Sequence, residues 1–194
     1  QVSPFERAIA AFDAVHAEDP RRDGDGVPHA VRYHATLSRW VDELAPDASE
    51  ALKLAARAQH LDRWRVPRET FPAGADGYKK WRSTLARKHA EDASRILGEA
   101  GVAPEAIDRV AELLVKKRLA SDPEVARFED AICLTFLELE LEPFLDRSES
   151  AKAPEIIRKT WKKMTPQGHA AAARILGSLR ASTRALVRSA VEGL

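Results

Sequence analysis

Residues 49–64, SEALKLAARAQHLDRW, decide the fold class. Apolar side chains recur there at helical spacing around much of the circumference, a pattern typical of a helix in the middle of a helical domain. These apolar positions are Leu52, Leu54, Ala55, Ala58 and Leu61. The pattern predicts a helix from Ala48 to about Trp64, which places His60 on or beside a mostly buried helix.

The same spacing predicts seven more helices on either side of this one. They cover about residues 3–18, 29–44, 77–101, 103–119, 122–145, 154–164 and 165–192. Within the helix predicted at 122–145, the stretch LELELE at 137–142 alternates with period two, so a strand is the local alternative there. We expect an all-α, single-domain helical bundle of about seven to eight helices. Its core covers about 28–145, and a C-terminal helical extension covers about 152–193.

Composition excludes several classes of protein. Lys plus Arg number 31 and Asp plus Glu number 30, so net charge does not favour nucleic acid or a membrane surface. A single cysteine, Cys133, excludes a disulfide framework and cysteine-rich zinc sites. The sequence contains no long uncharged apolar run and no leader pattern at its N-terminus, so we expect a soluble cytoplasmic protein with no membrane contact.

Three histidines and an acidic pair, each in a segment predicted to be helical, are candidate metal ligands. They are His34, His60, His89 and Glu129-Asp130. Imidazoles and carboxylates from separate helices suit a divalent cation such as manganese, iron or magnesium. The structural alternative is a buried His–carboxylate hydrogen-bond network. Cys133 lies in an apolar stretch and is interpreted as a core residue.

Basic and aromatic residues are concentrated on either side of His60 and again near the C-terminus. The candidate substrate-binding residues are Arg63, Trp64, Arg68, Trp81, Arg82, Lys159 and Lys163. Arginine offers a planar fork for phosphate, and tryptophan offers a face for a base. Together these residues predict a phosphorylated, nucleotide-like ligand. The alternative for each of them is an ordinary role, as an exposed basic residue on a helix or as a tryptophan packed in the core.

LAARAQHLDRW resembles the helix that carries the His-Asp doublet in the HD-domain superfamily of metal-dependent phosphohydrolases. The downstream strings KHAEDASRILGEAGVAPEAIDRVAELLVKKRL and FEDAICL resemble later helices of that superfamily. The resemblance implies His34, His60 and Asp130 as metal ligands, and His89 as a ligand of a second metal or of the substrate. Leu61 stands where the doublet has aspartate, and this departure puts a complete metal site in doubt.

A resemblance over nearly the whole chain is to the family catalogued as domain of unknown function 4202. It rests on FDAVHAEDP, LAARAQHLDRWRVPRETFP, GYKKWR, EDAICLTFLE and KTWKKM. That family has no settled activity, so the resemblance implies a fold and leaves the function open. His60, His89, Glu129 and Asp130 remain the stronger candidates for a functional site.

We therefore expect a metal-assisted hydrolase of a phosphorylated small molecule, in which His60 and Glu129 are catalytic. A non-catalytic module that binds a nucleotide or RNA is the alternative. An iron-dependent redox enzyme is a third hypothesis, because histidine and carboxylate ligands suit iron as well. The oligomeric state and the substrate are not indicated by any pattern in the sequence.

Overall fold

The computed structural model describes residues 1–116, 120–147 and 150–194. Within these ranges the chain forms α-helices and short 3-10 and π turns, with no strand, which confirms the all-α prediction. The LELELE stretch is helical as well. The helices are α1 (Pro4–His16), α2 (His29–Leu44), α3 (Glu50–Ala58), α4 (Ala75–Glu99), α5 (Pro104–Leu114), α6 (Pro123–Thr135), α7 (Leu141–Asp146), α8 (Ala153–Lys163), α9 (Pro166–Leu176) and α10 (Ala181–Val191).

The described residues contain ten α-helices, so the prediction of seven to eight was too low. One predicted helix is divided by a π turn, Phe136–Glu140, into α6 and α7. The last predicted helix is divided after Leu176 into α9 and α10. This second break frees the backbone N–H of Arg180, which donates to Glu142 at 2.8 Å. The end predicted for the fifth helix, Leu119, lies outside the described residues.

Helix α3 is shorter than its apolar pattern predicted, and the earlier end places His60 after the helix. It ends at Ala58, six residues before Trp64. Asp62 then adopts a left-handed backbone conformation with φ of 58°, which L-residues adopt at some cost and aspartate tolerates better than most. The chain turns there, so His60 lies on a turn and Arg63 begins a short 3-10 helix, Arg63–Arg65.

Helix α3 lies at the centre of the bundle and packs against α1, α2 and α5. Helix α6 packs against α2, and α4 against α5, while α8 and α9 cover α6 and α10 covers α8. The largest fully buried side chains, Phe12 and Phe128, belong to α1 and α6. The turn that follows α3 is thereby brought close to α2 and α4, which carry His34 and His89.

No helix in the three described ranges combines the length and the apolar character needed to cross a membrane.

Candidate functional site

His60 lies at the centre of a group of aromatic and basic side chains. Its ring stacks on Tyr33 of α2, with centroids 4.6 Å apart, and lies 6.2 Å from the ring of His89 on α4. The side chain is only partly exposed. Burial and the nearby charge of Arg63 hold the pKa of His60 well below its ordinary value. The imidazole is therefore neutral near pH 7 and can accept a proton.

His34 fixes the backbone of His60 through a buried hydrogen bond. Its Nδ1 donates to the carbonyl of Ala30 at 2.6 Å, so its Nε2 is free to accept from the backbone N–H of His60 at 3.1 Å. The ring of His16 stacks on His34 with centroids 3.6 Å apart. Burial is the main cause of the lowered pKa of both rings. His34, predicted as a metal ligand, is thus a neutral positioning residue in this structure.

His89 is 4% exposed, and neither ring nitrogen has a hydrogen-bond partner of normal geometry among the described residues. Burial and the charge of Arg63 lower its pKa to about 4, against a weaker opposing contribution from the Leu61 carbonyl. Buried polar atoms normally find partners. His89 is the one predicted ligand with both nitrogens free, and its ring is tilted by 45° to that of His60.

Arg63 covers His60 from the other side. Its Nη1 donates to His60 Nε2 at 2.9 Å, and its guanidinium lies 4.9 Å from the ring centre of Trp81. Trp81 is itself anchored, because its Nε1 donates to the Val66 carbonyl at 2.8 Å. Burial lowers the pKa of Arg63, and the charge of Arg82 adds to that effect. No described carboxylate forms an ion pair with Arg63.

Glu129 of α6 is 3% exposed and is held by two lysines. Lys116 Nζ lies 2.8 Å from one carboxylate oxygen, and Lys163 Nζ lies 3.6 Å from the other. Burial opposes ionisation, but these two lysines hold the pKa of Glu129 below its ordinary value. Burial and the charge of Glu129 raise the pKa of Cys133 to about 12, so this thiol is not a nucleophile near pH 7.

Asp130 is engaged elsewhere, at the start of α9. Its two oxygens accept the backbone N–H and the hydroxyl of Thr165, at 2.7 and 2.5 Å, and Arg127 Nη1 at 3.1 Å. The described residues contain no group of three or more His, Cys, Asp or Glu side chains that could hold a metal ion. Since Asp130 and His34 are already hydrogen-bonded, the set His34, His60, His89 and Asp130 does not fit a shared cation in this arrangement.

The remaining predicted ligand-binding residues separate into two groups. Arg68 donates to the carbonyls of Phe71, Pro72 and Gly74 and so supports a loop. Lys159 pairs with Glu155 one turn earlier on the exposed side of α8. Trp64 and Arg82 stay near Arg63: Trp64 is half-buried in the same 3-10 turn, Arg63–Arg65, and Arg82 is exposed.

Tyr33 and Lys116 belong to the site but were not predicted from the sequence. Tyr33 stacks on His60, and Lys116 is close enough for its charge to lower the pKa of His60. Lys116 has a φ of 54°, a conformation that glycine usually occupies after a helix. A lysine at a position where glycine is usual could have indicated that Lys116 has a role in the site. That signal is recognisable only once the end of α5 is known.

Two surface grooves lie away from this cluster. One is lined by residues of α1, α2 and α3, including Phe5, Val41 and Arg57. The other lies between α2 and α9, beside Leu44 and Gln167. Neither groove is lined by His60 or Arg63. These two side chains are partly exposed, and the surface that they share is here named the Arg63–His60 recess.

Comparison with known proteins gives one match. The family model with the description Domain of unknown function (DUF4202) matches residues 6–187. No curated protein and no solved structure gives a significant match. The family match covers nearly the whole chain, including Tyr33, His34, His60, Arg63 and His89. The chain therefore belongs to the family described as Domain of unknown function (DUF4202).

Proposed function

We propose that this chain binds a phosphorylated small molecule at the recess formed by Arg63 and His60, and hydrolyses it. Arg63 carries the proposal, because it is a half-buried guanidinium without an ion-pair partner among the described carboxylates. Burial disfavours its charge, as its lowered pKa reflects. The charge of Glu140 acts on Arg63 without an ion pair between them. A phosphate would supply a countercharge in direct contact and could accept the two parallel hydrogen bonds that a guanidinium offers.

Other cations act on Arg63 or on its neighbour His60. The charge of Lys116 reaches His60, that of Arg82 reaches Arg63, and Lys163 is bound to the same carboxylate as Lys116. Glu129 is the carboxylate that both lysines neutralise. A dianionic phosphate beside Arg63 would therefore meet the positive charge of Arg82 and, next to His60, that of Lys116, which together oppose the negative charge of Glu140.

His60 suits the proton transfers of hydrolysis. The neutral imidazole of His60 would accept a proton from a water molecule as its oxygen attacks phosphorus. The leaving oxygen departs on the opposite side of phosphorus and would take its proton from solvent, and the imidazolium would then lose its proton to solvent. Arg63 would neutralise charge that develops on the phosphoryl oxygens. Glu129, predicted as catalytic, would act by holding the two lysines in place.

Assistance by a divalent metal, which the resemblance to HD-domain phosphohydrolases implies, stays a prediction. Because three of its four expected ligands, His34, His60 and Asp130, are hydrogen-bonded to other groups, we assign no step of the reaction to a metal. Manganese, iron and magnesium are the candidate ions, and metal analysis of protein purified without a chelator tests them. A stoichiometric transition metal that is lost in His89→Ala would show that His89 is a ligand.

Phosphate release tests the hydrolase proposal. We expect the wild-type protein to release inorganic phosphate from a panel of phosphate esters, and His60→Ala to slow release by about 100-fold or more, the usual contribution of a general acid–base. Circular dichroism and retained binding of inorganic phosphate serve as controls for folding. Release that is absent from the wild type, or unchanged in His60→Ala, would count against hydrolysis at this site.

A non-catalytic module that binds a nucleotide or RNA is the second candidate, and an exposed basic and aromatic surface favours it. Lys79, Lys80 and Arg82 are exposed beside Tyr78, which is 46% exposed. Such surfaces bind single-stranded nucleic acid through stacking and charge. This candidate predicts affinity for single-stranded RNA that falls steeply with salt, together with no release of phosphate.

A further inference from the structure

We infer that Tyr78 is a stacking platform for a flat aromatic group, so that the ligand of the Arg63–His60 recess is a sugar phosphate that carries a flat base, as a nucleotide does. The inference rests on the proposed phosphate site and adds a specificity-determining residue to it. Tyr78 is one of four large apolar side chains exposed in the described residues. Of those four it is the one in contact with residues of the recess.

A continuous series of contacts joins Tyr78 to the phosphate-binding arginine. The rings of Tyr78 and Trp81 lie 5.9 Å apart, and the guanidinium of Arg63 lies 4.9 Å from the Trp81 ring. Arg63 then donates to His60. The Tyr78 hydroxyl is near enough to influence the pKa of Arg63. A ligand with its phosphate on Arg63 would therefore extend its other end over Tyr78.

Tyr78 is held in place before any ligand arrives. Arg82 Nη1 donates to its hydroxyl at 3.0 Å, and the Arg82 guanidinium lies 5.8 Å from the ring centre. The loop before α4 packs so closely on the helix that a Cβ at Gly77 would lie 1.7 Å from the Pro72 carbonyl oxygen. Arg68 binds three carbonyls of this loop. An aromatic side chain fixed at the surface loses little entropy when a ring stacks on it.

The chemistry of the surface selects the ligand class. A free face of tyrosine stacks on any flat aromatic ring, and this contact tolerates different bases. The exposed guanidinium of Arg82 adds a cation at the edge of the platform. A sugar phosphate has no ring to place on Tyr78, whereas a nucleoside monophosphate fills both parts of the site. We therefore assign a mononucleotide rather than a sugar phosphate.

Calorimetric titration of AMP, ribose 5-phosphate and inorganic phosphate into the full chain tests this assignment. AMP should bind about tenfold more tightly than ribose 5-phosphate, and Tyr78→Ala should remove that difference without changing the affinity for inorganic phosphate. Tyr78→Phe keeps the ring and should keep the preference for AMP. Arg87→Ala is the matched control, because Arg87 is an exposed residue of α4 that pairs with Glu91.

The outcomes separate this inference from the proposed function. Equal affinities for AMP and ribose 5-phosphate in the wild type, with inorganic phosphate still bound, would overturn the stacking role and leave the phosphate site standing. If none of the three probes binds, the phosphate site fails and the inference fails with it. A single-stranded RNA that binds more than tenfold more tightly than AMP, and depends on Tyr78, would replace the mononucleotide with RNA.

Discussion

Acidification from pH 7 to pH 4.5 is expected to unfold this protein, because three buried histidines and the partly buried His60 must stay neutral in the folded chain. The pKa of His16, His34, His60 and His89 is lowered in each case, mainly by burial. A histidine with a lowered pKa binds fewer protons when folded than when unfolded. Stability is therefore complete above the unfolded pKa of about 6.5 and falls as pH drops below it.

The expected loss is large relative to the stability of a domain. For His89, the fall from 6.5 to about 4 corresponds to roughly 3 kcal/mol once the pH is below both values. The other three histidines add to this loss, and the His89 contribution alone is a large share of a typical unfolding free energy. Protonation of His34 would also place a hydrogen on Nε2, which now accepts the His60 N–H.

Urea denaturation at a series of pH values measures this loss, and two variants check its origin. His89→Leu should flatten the pH dependence by about one proton and leave stability at pH 7 nearly unchanged, because the His89 nitrogens have no described partner. His29→Gln should steepen it, since Glu140 and Asp23 raise the pKa of His29 despite its burial. A free energy of unfolding that is flat between pH 7 and pH 4.5 would contradict the neutral histidine cluster.

Gly168→Ala is expected to destabilise the protein by about 3 kcal/mol. A Cβ at Gly168 would lie 2.5 Å from Asp130 Oδ1 and 2.8 Å from its Cγ. Asp130 is fully buried and accepts three hydrogen bonds from Thr165 and Arg127. The carboxylate cannot move without breaking these bonds, and a buried charge that loses its partners is strongly unfavourable.

Gly98→Ala is the matched control for this substitution. Gly98 lies within α4, and a Cβ there meets nothing within 4 Å. Alanine should therefore stabilise the helix by about 0.5–1 kcal/mol. Thermal denaturation of both variants measures the contrast. Equal stabilities for the two variants would contradict the tight packing of α9 against Asp130.

The sequence predicts the helices of this fold well, and fails where a helix stops or bends for a reason outside its own pattern. Leu61 continues the apolar spacing of α3 and is buried, yet the helix ends at Ala58. The left-handed Asp62, paired with Arg65 and Lys88, stabilises the turn instead. Residues distant in sequence determine that geometry, so periodicity alone extends the helix too far.

The candidate site was predicted only in part, again because contacts between residues distant in sequence determine its geometry. His60, His89, Arg63 and Trp81 are brought together. Arg63 and Trp81 were predicted from the concentration of basic and aromatic residues around His60, and His89 was predicted as a metal ligand. Asp130 is adjacent to Glu129 in sequence but faces Thr165. Two neighbours on a helix point about 100° apart, so Asp130 faces Thr165 while Glu129 faces the two lysines.

The most direct test of the account is the affinity for inorganic phosphate of the wild type, Arg63→Ala and Arg87→Ala, measured by calorimetric titration. Arg63 has no described ion-pair partner, whereas Arg87 is exposed and pairs with Glu91. We predict that Arg63→Ala weakens binding at least tenfold, the usual effect of losing a charge-assisted contact of more than about 1.4 kcal/mol, and that Arg87→Ala leaves it unchanged. Equal affinity of all three proteins, or no binding by the wild type, would contradict a phosphate site at Arg63.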